Sequence, residues 1–355
     1  MSNMDSAPNT ALYNIPFNIE SFNGMPYRTL GKSGLSVSNV GLGTWKIGLP
    51  ETGDGSRLDE KRAFQLFERA VELGVCFWDT ANRYNNSSGN SERIIGRWLR
   101  QNPAQRRNLI IATKVSGGMD GLTPNHCGLS RGSILDAVYS SLARLQTSHI
   151  DLLYFHTYDP SAEIEESLVA IEDLIAKDMV RFFAVSNFTV ENLKAYQSVQ
   201  KNLSVRTRIT AVQNQFDILD GEPVSHRGVM EYVFEAGISF IAWSPLAKGF
   251  LSEKYLDLPR VGAGHRLFDE GASTNIKPLS RKKIERLAVL SSKWDMTLSQ
   301  LALSYMLTLP GMGPVIPSSA TIAQLESNAA AAKIILSDQQ KMQIENALRT
   351  DTANF

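Results

Sequence analysis

The 355-residue chain has little of several features that mark particular classes of protein. It has only two cysteines, Cys76 and Cys127, so it carries neither a disulfide framework nor the ligand spacing of a zinc site. Its 36 basic and 36 acidic residues balance, and the basic excess typical of nucleic-acid binding is missing. No run of about 18 apolar residues predicts a transmembrane helix. These features favour a protein that acts on a small molecule and has no partner in nucleic acid or a membrane.

The N-terminal 24 residues are polar and predict a poorly structured extension. They lack a basic segment followed by an apolar one, so a signal peptide is not expected and the cytoplasm is the expected location. From residue 25 to residue 355 no linker or shift of composition divides the chain. These residues are expected to form a single domain.

Strand and helix patterns alternate through this domain after a short predicted N-terminal β-hairpin around the turn GKSG (31–34). Most of the predicted strands are continuously apolar, which is typical of a parallel sheet buried on both faces. The eight strands are predicted at 40–45, 75–80, 109–115, 150–156, 180–188, 209–216, 238–246 and 314–319. The pattern predicts an α/β fold, a (β/α)₈ TIM barrel with a long irregular loop (247–278) after the seventh strand.

A doubly wound sheet is the alternative for such alternation. That fold normally has a glycine-rich phosphate loop after its first strand. The chain contains neither G-x-G-x-x-G nor a Walker loop, which favours the barrel.

Ionisable residues stand at the predicted carboxyl ends of three consecutive strands. Asp79, Lys114 and His156 end the second, third and fourth strands, and Tyr84 follows in the loop after Asp79. Taken singly, each has an ordinary structural explanation, such as a helix cap, a surface lysine or a core histidine. The active site of a barrel lies at this end of the strands, so together the four residues indicate one site.

The chemistry of these four groups suggests an acid–base site without a metal. A tyrosine, with an unperturbed pKa of about 10, is a poor proton donor at neutral pH. We expect Lys114 to lower the pKa of Tyr84 by stabilising the phenolate, and Asp79 to keep the lysine charged. His156 can donate a hydrogen bond to a substrate oxygen. Such a site would protonate a developing alkoxide.

Short segments of the chain resemble, in order, those of the aldo-keto reductases, closer to the bacterial and channel β-subunit-like branch than to the mammalian steroid and aldose reductases. The resemblance runs from about residue 25 to residue 345. The matching segments are GLGTW, FWDTANRY, ATK, YFH, VSNF, VQNQF, WSPLAKGFLSEKY and VIPSSATIAQLESN.

The resemblance implies roles for individual residues. Asp79, Tyr84, Lys114 and His156 match the catalytic tetrad, with Tyr84 as proton donor and Asp79 also beside the cofactor. Ser186, Asn187 and Gln213 match residues that hold the nicotinamide carboxamide, and Trp243 matches the aromatic that stacks on the ring. Of the remaining implied cofactor residues, those of the first strand beside the cofactor are Gly43, Thr44 and Trp45, and those around the pyrophosphate are Ser244, Pro245, Leu246, Lys248 and Gly249. Lys254 and Arg266 are implied in the loop over the cofactor, and Ser318, Ser319, Gln324 and Asn328 at its adenosine end. Trp45, Tyr84 and His156 are also implied in substrate binding.

The implied reaction is hydride transfer between a nicotinamide cofactor and a carbonyl carbon. Many relatives place a lysine and an arginine near the 2′-phosphate of NADP, where this chain has Ser318 and Gln324. Lys254 or Arg266 can supply that positive charge. NADP is therefore the expected cofactor and NAD the alternative, while the oligomeric state stays open.

Two alternatives to carbonyl reduction stay open. One is an NAD-linked sugar or alcohol dehydrogenase that uses the same site in reverse. The other is a nicotinamide-binding regulatory or redox-sensing subunit, as in potassium-channel β subunits, where the tetrad histidine is typically an asparagine. His156 favours an enzyme over that subunit. The substrate is a small carbonyl compound or a sugar, and Trp45, Trp78, Arg83, Tyr158 and Phe355 are candidates to line its pocket.

Overall fold

The computed structural model describes residues 20–119, 121–203, 207–256, 262, 266–269 and 276–349. Most of the predicted N-terminal extension and the pocket candidate Phe355 lie outside these residues. Within them, no helix is long and apolar enough to cross a membrane.

Eight parallel strands form the centre of the molecule, and each pairs with its neighbour in chain order. They are β4 (Leu42–Gly43), β5 (Phe77–Asp79), β6 (Ile110–Val115), β7 (Ile150–Phe155), β8 (Val180–Ser186), β9 (Ile209–Gln215), β10 (Ser239–Trp243) and β11 (Met312–Val315). Parallel bridges from Val40 to Val315 and from Gly43 to Ser318 join the first strand to the last. The predicted (β/α)₈ barrel is confirmed.

The closure of the barrel explains one glycine. A Cβ atom on Gly43 would lie 2.9 Å from the Ser318 hydroxyl and 3.1 Å from the carbonyl oxygen of Ile316. The backbone amide of Gly43 also donates to the carbonyl of Pro317. A side chain at this position would push apart the two strands that close the sheet.

Helices surround the barrel and follow its strands. They are α1 (Glu60–Glu72), α2 (Tyr84–Ser87), α3 (Asn90–Gln101), α4 (Arg131–Leu145), α5 (Ile164–Ala176), α6 (Val190–Gln200), α7 (Val229–Ala236), α8 (Arg266–Asp269), α9 (Pro278–Lys293), α10 (Leu298–Met306), α11 (Ile322–Ala331) and α12 (Asp338–Leu348). Side-chain caps fix several helix starts, as at Ser130, whose hydroxyl accepts from the amide of Ser133.

The apolar residues of the strands build two separate cores because successive side chains point to opposite faces of the sheet. One face packs against the helices, where Phe67 and Trp98 contact Trp78 of β5. The other face fills the barrel interior, where Phe77 and Tyr154 are fully buried. The interior is therefore solid up to the level at which the strands end in polar residues.

The amino-terminal end of the barrel is closed by an antiparallel sheet of β1 (Ser21–Phe22), β2 (Met25–Thr29) and β3 (Ser36–Ser38). Its turn contributes Leu30 and Leu35 to the interior core. The pairing of β1 with β2 includes residues that precede the predicted boundary at residue 25.

Arg28 of β2 fastens this sheet to the barrel. Its guanidinium donates to the Asn39 side chain at 2.8 Å and to the carbonyls of Met312 at 2.7 Å, Gly313 at 3.0 Å and Leu307 at 3.3 Å. Burial lowers the pKa of Arg28 to about 10.

We expect Arg28→Met to lower the free energy of unfolding by about 2–4 kcal/mol, because it leaves partly buried carbonyls without a donor. Urea unfolding followed by circular dichroism measures the change. Arg62→Met is the matched control: Arg62 is exposed and lies 3.9 Å from Asp59, so its loss should cost no more than about 0.5 kcal/mol. Equal losses in the two variants would show that Arg28 does not fasten the sheet.

Candidate active site

The carboxyl-terminal rim of the barrel carries a concentration of strained backbone. Ser116, Asn187 and Ser244, which follow β6, β8 and β10, all have positive φ angles, of 147°, 56° and 55°. Such conformations cost about 1–3 kcal/mol each and cluster at functional sites. The strain marks the same rim that the sequence predicted.

Lys114 is the centre of the site. Its ammonium group is 1% exposed and lies at the end of β6. It donates to the Asp79 carboxylate at 2.6 Å, to the Thr80 carbonyl at 2.8 Å and to the Tyr84 hydroxyl at 2.8 Å. An ammonium has three hydrogens, so each of them has an acceptor. The predicted association of Asp79, Tyr84 and Lys114 is present in the structure.

The Asp79 carboxylate uses both of its oxygens. Oδ1 accepts from Lys114 and, at 3.1 Å, from the Tyr84 hydroxyl. Oδ2 accepts from the side-chain amide of Gln213 on β9 at 2.7 Å. The carboxylate is therefore compensated on both sides, which offsets the cost of burying it.

The pKa of Tyr84 is raised well above its ordinary value, first by burial and then by the Asp79 carboxylate. The expectation that Lys114 lowers it is wrong for the protein alone. Asp79 contacts both groups and offsets the charge of the lysine, and a phenolate there would face a carboxylate. Burial also lowers the pKa of Lys114, against the opposing effect of Asp79.

His156 follows β7 and faces Tyr84, with the two ring centres 6.1 Å apart. Burial, then the charges of Lys114 and Arg83, lower the pKa of His156 to about 3. The ring is therefore neutral at physiological pH. Its Nδ1 atom is buried and makes no hydrogen bond to any residue that the structure describes.

A buried ion pair lies on the helix side of β6, next to the site, and the sequence did not predict it. Glu92 of α3 is fully buried, accepts from the Thr113 hydroxyl at 2.5 Å and pairs with Arg144 of α4 at 2.7 Å. Thr113 directly precedes Lys114 in β6. The available signal was an acid on the same helix face as the apolar Ile95 and Leu99.

A chain of polar groups continues the rim from β8 to β10. Trp243 donates its indole N–H to Asn187 at 3.2 Å, and Asn187 donates to the His156 carbonyl at 2.9 Å and to the Ser186 hydroxyl at 3.1 Å. Ser186 donates to the carbonyl of Gln213 at 2.8 Å. The four residues implied for the nicotinamide are thus held in one network beside the tetrad.

The turn after β10 is built from left-handed residues. Ser244, Ala247, Lys248 and Gly249 all have positive φ angles. Turns of this kind can present backbone N–H groups to an anion. Pro245 is buried, Leu246 is half-buried and Lys248 is exposed. The turn therefore fits the phosphate-binding role that the resemblance implies.

The residues implied for the adenosine end lie after β11 and in α11. Ser318 is exposed, whereas Ser319 is buried and accepts from Asn328 at 3.1 Å. Gln324 is half-buried and accepts from the amide of Ala320 at 2.7 Å. This fixes the loop in which the two serines stand.

Next to this loop, β4 brings further predicted residues to the rim. Thr44 is buried and donates to the carbonyl of Asp79 at 2.9 Å. Trp45 is 39% exposed beside it, and the Lys46 ammonium lies 4.0 Å from the centre of the indole. Lys254 is exposed, and the side chain of Arg266 lies outside the described part of the chain.

Two of the predicted pocket residues belong to the outer core. Trp78 is fully buried and stacks on Phe67 at 4.5 Å, because it points away from the barrel interior, on the opposite face from Asp79. The assignment of Trp78 to the pocket is wrong. Tyr158 packs edge-on against Phe188 and Tyr196, so its ring contacts the core between barrel and helices. Trp45 and Arg83 are exposed at the rim.

A cavity of about 430 Å³ lies at the other end of the barrel, far from these groups. It is lined by charged residues that pair with one another: Asp151 lies 2.7 Å from Arg106 and 3.3 Å from Arg181. These contacts join the starts of β7 and β8 to the segment before β6. The ion pairs give the residues that line this cavity a structural role.

The model of the aldo/keto reductase family matches residues 39–349, and the chain belongs to this family. It is therefore an oxidoreductase. It is 32% identical over 346 residues to the aldo-keto reductase AMT2 of Alternaria alternata, which covers 90% of each chain. It is 29% identical over 348 residues to the versiconal hemiacetal acetate reductase of Aspergillus parasiticus, covering 90% of this chain and 96% of that one.

Another relative is named as a channel subunit and not as a reductase. The chain is 30% identical over 319 residues to a probable voltage-gated potassium channel subunit beta of Arabidopsis thaliana, covering 88% of this chain and 92% of that protein. The predicted family and branch agree with these relatives.

The lowered pKa of His156 predicts a pH dependence of stability. The unfolded histidine binds a proton below about pH 6.5, whereas the folded one binds it only near pH 3. Its contribution to stability is complete above pH 6.5 and is lost as the pH falls towards 3, by about 1.4 kcal/mol per pH unit. We expect His156→Gln to remove this part of the acid sensitivity.

Urea unfolding of both proteins at a series of pH values measures the effect. Between pH 6 and pH 4.5 the wild type should lose about 2 kcal/mol more than the variant. Above pH 7 the two should change in parallel, which serves as the internal control. Parallel behaviour over the whole range would mean that the folded His156 titrates normally.

Proposed function

We propose that the protein reduces an aldehyde or ketone to an alcohol with a nicotinamide cofactor, and that Tyr84 is its proton donor. The observation that carries this is the single hydroxyl of Tyr84, which contacts both Lys114 and Asp79 and faces a neutral histidine. The nicotinamide, when bound, supplies the hydride. The residues of the chain orient the carbonyl and deliver the proton.

The raised pKa of Tyr84 suits a donor. It keeps the phenol protonated at neutral pH, so the proton is present when a carbonyl arrives. The hydroxyl hydrogen points to Asp79 over 3.1 Å, a long and weak hydrogen bond that a substrate oxygen can replace. When the proton leaves, the Lys114 ammonium is already 2.8 Å from the phenolate oxygen and stabilises it.

His156 serves as an uncharged hydrogen-bond donor. With a pKa of about 3 it does not compete as an acid, and its ring orients the carbonyl oxygen towards Tyr84. The same neutral histidine favours an enzyme over a regulatory subunit that only binds cofactor. A protein that binds cofactor but turns over no carbonyl compound or sugar would support the regulatory alternative.

The residues around the rim fit a nicotinamide cofactor. Trp243 offers a partly exposed ring beside Asn187, and the left-handed turn after β10 suits a pyrophosphate. Ser186, Asn187 and Gln213 would hold the carboxamide. Gln213 donates one N–H to Asp79, and its amide has a second N–H and an oxygen besides.

NADP is the proposed cofactor, with its 2′-phosphate near Ser318 and its charge met by Lys254 or Arg266. The exposed Ser318 hydroxyl and the fixed loop around it support this placement. Reduction and oxidation use the same site, so an NAD-linked sugar or alcohol dehydrogenase remains the second candidate. The relative affinity for NADP and NAD distinguishes them.

We expect Tyr84→Phe to lower kcat for aldehyde reduction by about 10²–10⁴-fold, because the proton donor is lost while the ring is kept. NADPH binding, measured by fluorescence titration, should change by no more than about twofold, since the phenol does not hold the cofactor. Stopped-flow or steady-state consumption of NADPH with a panel of aldehydes measures kcat.

The matched control is Tyr139→Phe, the same substitution on the outer surface of α4, where Tyr139 is exposed. It should leave turnover unchanged. Near-normal turnover in Tyr84→Phe would assign the proton transfer to another group.

We expect Arg266→Ala to weaken NADP binding by about 10–100-fold and to leave NAD binding nearly unchanged, because only NADP carries the 2′-phosphate. Isothermal titration with each nucleotide measures both affinities. Arg281→Ala, which removes an exposed arginine from α9, is the control. Unchanged NADP affinity in Arg266→Ala would show that another residue meets the phosphate.

A further inference from the structure

Arg83 is an exposed arginine at the mouth of the site, directly before Tyr84. It follows β5, and its side chain reaches the loop after β6: a Cβ atom on Gly117 would lie 2.0 Å from Arg83 Cδ and 2.6 Å from one terminal nitrogen. The guanidinium stem therefore lies across the backbone of Gly117, three residues after Lys114. This places a positive charge between the loop after β5 and the loop after β6.

The Arg83 side chain makes no ion pair or hydrogen bond with any residue that the structure describes. Two described carboxylates of the neighbouring rim loops are occupied elsewhere. Asp54 accepts from the amides of Leu49 and Ser56 and from Asn90. Asp159 accepts from the amides of Leu129 and Ser161. Among the described residues none accepts from the five donors of the guanidinium, which can therefore bind a ligand.

The position of Arg83 separates it from the residues proposed for the cofactor. Apart from Asp79 at the end of β5, those residues lie on or after β4 and on or after the strands from β8 to β11, with the phosphate-binding turn after β10. Arg83 lies between β5 and β6, on the side of His156 and β7. Its charge also contributes to lowering the pKa of His156, so the two groups are within electrostatic reach.

Resting on the carbonyl reduction proposed above, we propose that Arg83 binds an anionic group of the substrate, so that the preferred substrates are aldehydes or ketones that carry a carboxylate. A guanidinium matches the two oxygens of a carboxylate with parallel hydrogen bonds. Held there, the substrate presents its carbonyl to Tyr84 and His156. The geometry makes Arg83 a specificity residue rather than a proton donor.

The test uses two aldehydes of nearly equal shape, 4-carboxybenzaldehyde and its methyl ester, which differ in charge. The wild type should show the higher kcat/KM for the acid, by at least about tenfold. Arg83→Gln should lower kcat/KM for the acid by about 10–100-fold, chiefly through KM, and change that for the ester by no more than about twofold. Arg83→Lys should restore part of the preference because it keeps the charge.

Arg93→Gln is the matched control, since it removes an exposed arginine from α3. It should keep the wild-type preference for the acid. Raising the salt concentration should narrow the preference in the wild type but not in Arg83→Gln.

The outcomes separate this proposal from the one on which it rests. If neither aldehyde is reduced by the wild type, the proposed reaction itself is wrong. If both are reduced equally, or if Arg83→Gln lowers both alike, the reaction stands and the role of Arg83 in binding a carboxylate is overturned.

Discussion

The site depends on one buried ammonium group. Lys114 could not stay charged in the apolar barrel without three acceptors, and the structure provides them from a side chain, a backbone carbonyl and a phenol. The first of these lies at the end of β5, and the other two come from the segment that follows it. The same cation therefore fixes the positions of Asp79, of the Thr80 carbonyl and of the Tyr84 hydroxyl.

The surrounding structure can be understood as support for that arrangement. The interior below the rim is filled by Phe77, Tyr154 and the hydrophobic residues of the N-terminal sheet, so water does not reach the lysine from beneath. Glu92 and Arg144 hold Thr113 from outside the barrel. The electrostatic balance follows from this burial. The phenol stays protonated and the histidine stays neutral, which suits a site that waits for a substrate before moving a proton.

Family membership and the particular substrate rest on different parts of the molecule. The family model spans nearly the whole barrel, and the chain is similar both to a named reductase and to a protein named as a channel subunit. We propose Arg83 as the residue that selects the substrate, because it brings a charge to the mouth of the site and has no ion pair or hydrogen bond with any described residue.

Much of this could be predicted from the sequence, for physical reasons. Continuous apolar strands between amphipathic helices determine a parallel barrel, and polar residues placed where those strands end must meet at one rim. That argument brought Asp79, Lys114 and His156 together with Tyr84. Other features depended on three-dimensional contacts. Which face of β5 Trp78 occupies and which acid lies behind Thr113 were decided by packing between distant elements. The direction in which the pKa of Tyr84 shifts depends on its burial and on its distances to Asp79 and Lys114. A sequence pattern does not contain these distances.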